Sequence, residues 1–127
     1  MKLGVIGIGI VGTAIYKGFL KIDKTLDITG YDKYKKIGEF KNILNSDIIF
    51  LCVPTHYSIT NAEYDKTELN NTLLLLQKNN YKGLVINKCT VEPLTTEKLA
   101  KKYNLKIIHN PEFLSAITNI DDFVNQN

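Results

Sequence analysis

The sequence predicts an α/β domain of the doubly wound class, with a mainly parallel sheet of about five strands and helices on both faces. Three observations carry that expectation. Short apolar runs alternate with amphipathic stretches along the chain. The first run leads into a glycine turn, Gly7-Ile8-Gly9-Ile10-Val11-Gly12. The second ends in an acid, Asp32, twenty residues after Gly12. Continuous apolar runs suit strands buried on both faces, and strands separated by helical crossovers are joined in parallel.

The elements follow in order. Leu3-Gly4-Val5-Ile6 reads as a buried strand, and Val11, Ile15, Phe19 and Ile22 then recur at helical spacing, so the glycines sit at a strand-to-helix junction. Residues 26–31 return to strand character, which completes one βαβ unit. The lysine-rich stretch 33–46 is expected to form a short exposed helix before a strand over 48–53, with a turn at Pro54. Residues 55–65 look like a polar loop, and Leu69, Leu73 and Leu76 mark the buried face of the helix after it. Leu84-Val85-Ile86 gives a fourth strand. Thr95 and Thr96 are candidate caps for a helix reaching about Tyr103, with Glu97 in its positive first turn. Lys106-Ile107-Ile108 is the fifth strand.

The totals bound the function. With 127 residues there is room for one domain, spanning 1–127. Sixteen basic residues against thirteen acidic ones give a net charge of +3, and the positives are scattered along the chain, so no nucleic-acid partner is indicated. Every basic residue is lysine, which leaves no arginine fork for bidentate grip on a phosphate or carboxylate. Two unlinked cysteines, Cys52 in an apolar run and Cys89 after Lys88, read as reduced core thiols in a cytoplasmic chain. The apolar opening carries three glycines and is too short to span a bilayer, so no membrane partner is expected. His56 and His109 have no carboxylate or cysteine partners at metal spacing, and no metal site is expected.

The glycine turn suggests a dinucleotide. Gly7 permits the tight bend, Gly9 lets the backbone approach a pyrophosphate, and Gly12 allows close packing of helix on strand. The amides opening the helix, from Ile8 through Ile10 and Val11, then face the phosphates. Asp32 ends the second strand, where a carboxylate accepts both ribose hydroxyls of an adenosine and repels a 2′-phosphate, so the expected cofactor is NAD. Lys33, Lys35 and Lys36 lie just beyond. A lysine there can hold a 2′-phosphate as a point charge, which weakens the preference for NAD over NADP and makes Lys36 a candidate contact, and the plainer reading of the three is a solvated loop.

The motifs together resemble the UDP-glucose/GDP-mannose dehydrogenase family, the nucleotide-sugar dehydrogenases, at its NAD-binding Rossmann domain. In order they are the glycine turn, Asp32, Asp47-Ile48-Ile49-Phe50-Leu51-Cys52-Val53-Pro54-Thr55, Lys88-Cys89-Thr90-Val91-Glu92-Pro93, and Asn110-Pro111-Glu112-Phe113-Leu114 with Asp122-Phe123 downstream. The resemblance implies oxidation of a sugar primary alcohol to a uronic acid in two NAD-dependent steps. It implies that Pro54, Thr55 and Thr90 contact the cofactor, that Thr90 also positions a catalytic water, and that Glu112 is the general base toward that water. Read without the family, Thr55 closes a turn, Thr90 ends a strand and Glu112 is a loop acid.

The departures matter as well. Ile10 replaces a common tyrosine, Cys89 a usual serine, and Ser115-Ala116-Ile117 a usual Arg-Glu-Gly. The family's substrate domain with its nucleophilic cysteine is expected to be absent, so the chain should be inactive alone. Its expected partners are then NAD, a separate chain supplying the substrate domain or a second copy of itself, and a nucleotide sugar. A stand-alone NAD-binding sensor and a truncated gene remnant are the alternatives. A hydroxyacid dehydrogenase shares only the glycine turn and Asp32.

Overall fold

The computed structural model describes residues 1–112, 114 and 116–126. Strand β1 (Lys2–Ile6), helix α1 (Ile10–Ile22) and strand β2 (Asp27–Tyr31) form the expected βαβ unit. A tight turn then pairs Asp32 with Ile37 through two backbone hydrogen bonds of 2.9 and 3.0 Å. That turn and the two residues after it take up the first part of the stretch expected to be helical, and only α2 (Phe40–Ile43) remains. Apolar anchors decide where it forms: Ile43 is fully buried and Phe40 packs edge-on to Tyr31.

After β3 (Ile48–Leu51) the polar loop expected over 55–65 contains a small antiparallel hairpin, β4 (Tyr57–Ser58) with β5 (Glu63–Tyr64). The rings of Tyr57 and Tyr64 face each other across it at 5.1 Å, a cross-strand pair that a search for apolar alternation passes over. Helix α3 (Thr67–Lys78), strand β6 (Leu84–Asn87), helix α4 (Thr95–Tyr103) and strand β7 (Lys106–His109) follow as expected. The capping of α4 differs, because Leu94 in a left-handed conformation precedes the helix and neither threonine caps it. Thr96 is instead buried and accepts a hydrogen bond from the Asn87 side chain at 3.1 Å. Helix α5 (Asn119–Val124) was not anticipated. With six residues it offers too little periodicity to read.

The five long strands pair in parallel in the order β2-β1-β3-β6-β7. The chain leaves β1 toward β2 on one side and returns to β3 on the other, so the order reverses between β1 and β3. In open α/β sheets a crevice opens at that reversal, outside the carboxyl ends of the strands.

The pleat divides the core between the two sheet faces. Leu3 and Val5 of β1 with Phe50 of β3 point toward α1, where Ile15, Phe19 and Phe123 of α5 complete one cluster. Ile49, Leu51 and Val85 point the other way, onto Ile43, Leu69, Leu73, Leu76 and Leu99 of α2, α3 and α4. Each fully buried aliphatic side chain contributes about 1.5 to 3 kcal/mol over leaving it exposed, so both faces hold the sheet.

Candidate functional site

Every predicted site residue leaves the sheet from its carboxyl edge. Gly7 to Gly12 follow β1, Asp32 and Lys36 follow β2, Pro54 and Thr55 follow β3, Thr90 follows β6, and Glu112 follows β7. Parallel strands bring these five connections to one side of the molecule, although they are far apart in the chain.

The glycine turn is built by steric necessity at two positions. Gly7 has φ +89°, and a Cβ there would lie 2.5 Å from the Cys52 carbonyl oxygen. A Cβ on Gly12 would overlap the carbonyl oxygen of Gly7 itself. Gly9 is different. It precedes α1 in extended conformation, and a Cβ there would meet nothing within 4 Å. Packing within the protein therefore explains Gly7 and Gly12 but leaves the space beside Gly9 open, as close approach of a ligand to the backbone requires. The first turn of α1 has no acidic residue and no side-chain cap, so its amide end keeps its partial positive charge for an anion.

Asp32 is tied to that turn. One carboxylate oxygen accepts from the Ile8 amide at 2.9 Å, and the other accepts from the amides of Tyr34 at 3.0 Å and Lys35 at 2.8 Å. Partial burial opposes the charged form, but the amides of Lys35, Ile8 and Tyr34, with the nearby Lys35 ammonium, outweigh it and hold the carboxyl below its ordinary range. Three of about four acceptor positions of the carboxylate are thus engaged, and the remainder can serve a hydroxyl donor. Lys35 reaches back to donate to the Ile8 carbonyl, clamping the turn from its other side. Lys36 stands exposed at the tip of the Asp32–Ile37 turn with φ +55°.

Beside Asp32 lies a cavity of about 100 Å³ at the reversal of strand order, floored by Ile6, Phe40, Val53 and Leu75 and bordered by Gly7 and Pro54. On the other side of the crevice, Thr55 donates its hydroxyl to the Thr90 carbonyl at 2.7 Å, fastening the connection after β3 to that after β6. The Thr90 side chain is exposed beside it.

Glu112 is not a solvated loop acid. Its carboxylate forms an ion pair with Lys88, and the two side chains are 7% and 3% exposed. Lys88 also donates to the Asn110 side chain. Sequence reading passed over Lys88 as a site residue. The available signal was its place directly after a four-residue strand, in a run otherwise made of buried positions. Tyr34 and Glu68 were missed too, because their relation is purely tertiary: the Tyr34 hydroxyl donates to a Glu68 carboxylate oxygen at 2.6 Å across 34 residues of chain. Phe113 and Ser115 lie outside the described residues.

The cysteines and His109 take structural places. Cys89 is buried with its thiol within reach of the Leu51 and Val53 carbonyls, and burial pushes its pKa up to about 12. Burial likewise pushes the Cys52 thiol up, so neither is a ready thiolate. His109 ends β7, and its ring meets the Cys89 carbonyl at 3.0 Å. Among the described residues no group of three His, Cys, Asp or Glu side chains is placed to hold a metal ion, and no helix is long and apolar enough to cross a membrane.

A parallel sheet with a strand-order reversal, a glycine turn at a helix amide end and a carboxylate at the tip of the second strand define a dinucleotide-binding domain. The family model for the UDP-glucose/GDP-mannose dehydrogenase family, NAD binding domain, matches residues 29–127, and the chain belongs to that family. NAD is the cofactor of this domain family. The matched segment contains Asp32, Thr55, Thr90 and Glu112 but starts after the glycine turn, which rests on the geometry given above.

Solved structures agree on the fold. A GDP-mannose dehydrogenase from Pseudomonas aeruginosa, in a ternary complex, superimposes with a TM-score of 0.73 at 20% identity, covering 97% of this chain and 38% of that one. A UDP-N-acetyl-mannosamine dehydrogenase from Staphylococcus aureus gives 0.77 at 18% identity, covering 100% of this chain and 40% of that one. An imine reductase variant from Myxococcus stipitatus in complex with NAD+ gives 0.65 at 17% identity, covering 92% and 42% respectively. The chain therefore spans about two fifths of the length of these proteins. No curated protein sequence matches it.

Proposed function

We propose that the chain is the NAD-binding half of a nucleotide-sugar 6-dehydrogenase, an enzyme that oxidises the primary alcohol of a UDP- or GDP-sugar to the uronic acid. The observation that supports this best is the gathering of the glycine turn, Asp32, Thr55, Thr90 and Glu112 on one sheet edge in a member of this family. In this reading the amides from Gly9 to Gly12 bind the pyrophosphate, with Ile10 and Val11 contributing through the backbone, while the Ile8 amide is already taken by Asp32 and serves the site only by fixing that carboxylate. Asp32 accepts from the adenosine ribose, Lys36 lies at the outer edge of that site, and Pro54, Thr55 and Thr90 border the nicotinamide. Bound NAD supplies the hydride acceptor.

The remaining chemistry belongs to Thr90 and Glu112. The Thr90 hydroxyl is exposed and positions a water, and Glu112 takes a proton from that water. Lys88 pairs with Glu112 and fixes the position of its carboxylate. The chain covers only 38% and 40% of the two dehydrogenases, so the sugar site needs further residues, in a longer chain or a separate one, and these 127 residues are expected to be inactive by themselves. Mixing the chain with a separately made substrate domain, NAD and UDP- or GDP-sugars should form NADH, and Glu112→Gln should suppress it. A folded mixture that stays silent with every sugar would reject the dehydrogenase role.

One observation favours a second reading, an NAD-binding module without chemistry: Glu112 is buried against Lys88 in the posture of a structural ion pair. That reading requires a partner whose binding to the chain changes with NAD. A pull-down with and without NAD that recovers the same proteins in both would reject it.

A further inference from the structure

The cavity beside Asp32 offers a base-recognition site, an inference that rests on the NAD reading above. Its floor is apolar, while two acids, Asp32 and Glu68, stand at its border. Asp32 is committed to the glycine turn and the ribose side. Glu68 comes from the opposite wall, on α3, and is held by the Tyr34 hydroxyl at 2.6 Å from the turn after β2. Tyr34 is 67% exposed, so this bond lies on the solvent side of the cavity and joins its two walls. The same bond raises the Tyr34 pKa above its ordinary 10.0, which keeps the phenol a donor throughout the neutral range.

We propose that Glu68, oriented by Tyr34, selects the base of the bound dinucleotide, favouring adenine over a purine that carries a carbonyl at position 6. A carboxylate accepts hydrogen bonds and donates none. The 6-amino group of adenine offers it a donor, whereas the 6-carbonyl of hypoxanthine sets two acceptors face to face. Specificity then comes from an opposed group as much as from a matched one. Tyr34 is a positioning residue here, acting through Glu68.

Calorimetric titration with NAD and with nicotinamide hypoxanthine dinucleotide tests this on the wild type, Glu68→Gln and Tyr34→Phe, with circular dichroism melts confirming that each is folded. Glutamine places an amide donor at the same point. The wild type should bind NAD at least about tenfold more tightly than the hypoxanthine analogue, and Glu68→Gln should bring the two within about threefold or reverse them. Tyr34→Phe should keep NAD preferred but by a smaller ratio. An unchanged ratio in a Glu68→Gln variant that still binds NAD would overturn the assignment and leave the NAD reading standing. A folded wild type that binds neither dinucleotide would overturn the NAD reading, and this inference with it.

Discussion

Gly7 and Gly9 stand two residues apart in one turn and answer to different demands. Gly7 is required by the fold, since its φ of +89° and the Cys52 carbonyl 2.5 Å from a built Cβ both exclude a side chain. Gly7→Ala should therefore cost at least about 2 kcal/mol in a urea titration, from backbone strain and overlap together. Gly9→Ala meets nothing within 4 Å and should leave the melt almost unchanged, while weakening NAD binding about tenfold or more if the pyrophosphate approaches there. Equal binding by Gly9→Ala and wild type would remove the ligand from that position. The Lys88–Glu112 pair is the other residue-scale feature, because both side chains are buried. Lys88→Met strands a buried carboxylate and should cost about 3 to 5 kcal/mol, and adding Glu112→Gln should recover much of that loss. If the double variant is as unstable as the single one, the cost lies in packing and not in charge.

Among the elements, the hairpin β4–β5 depends on one acid. Glu92 accepts from the Tyr64 amide at 2.9 Å and pairs with Lys66 at 3.1 Å. The Tyr64 amide foremost, with the Glu92 amide and Lys66, lowers its pKa from 4.5 to about 2 against a smaller opposing effect of burial. A carboxylate whose folded pKa is depressed adds stability above its unfolded pKa and loses it as pH falls through the folded value. The stability difference between wild type and Glu92→Gln should hold above about pH 4.5 and vanish toward about pH 2. A difference independent of pH across that window would show that the carboxylate charge does not secure the hairpin. None of this was legible in advance, since the hairpin rests on one tyrosine pair and a distant acid, and apolar spacing registers neither. The long elements were legible for the opposite reason. Ile49, Leu51, Leu69, Leu73, Leu76 and Val85 bury large side chains at the period of their own strand or helix, and local pattern and tertiary packing agree there.

Over the whole molecule, the parallel sheet turns sequence order into a site. Five strands that run the same way deliver five connections to one edge, so motifs spread from Gly7 to Glu112 meet around a single crevice. That meeting was readable from the order of the motifs. The bonds within the crevice were not, because Ile8 to Asp32, Thr55 to Thr90 and Lys88 to Glu112 each join residues from separate crossovers. The placement of Asp32 depends on the same topology: β2 pairs with β1 in register from Lys2 with Asp27 to Ile6 with Tyr31, which sets Asp32 level with Gly7. The most direct test is therefore a calorimetric titration of the chain with NAD and with NADP, alongside Asp32→Ala. Saturable binding of NAD in preference to NADP, weakened at least about tenfold in a folded Asp32→Ala variant, is the expected result. A folded wild type that binds neither dinucleotide, or an Asp32→Ala variant that binds NAD as tightly as wild type, would contradict it.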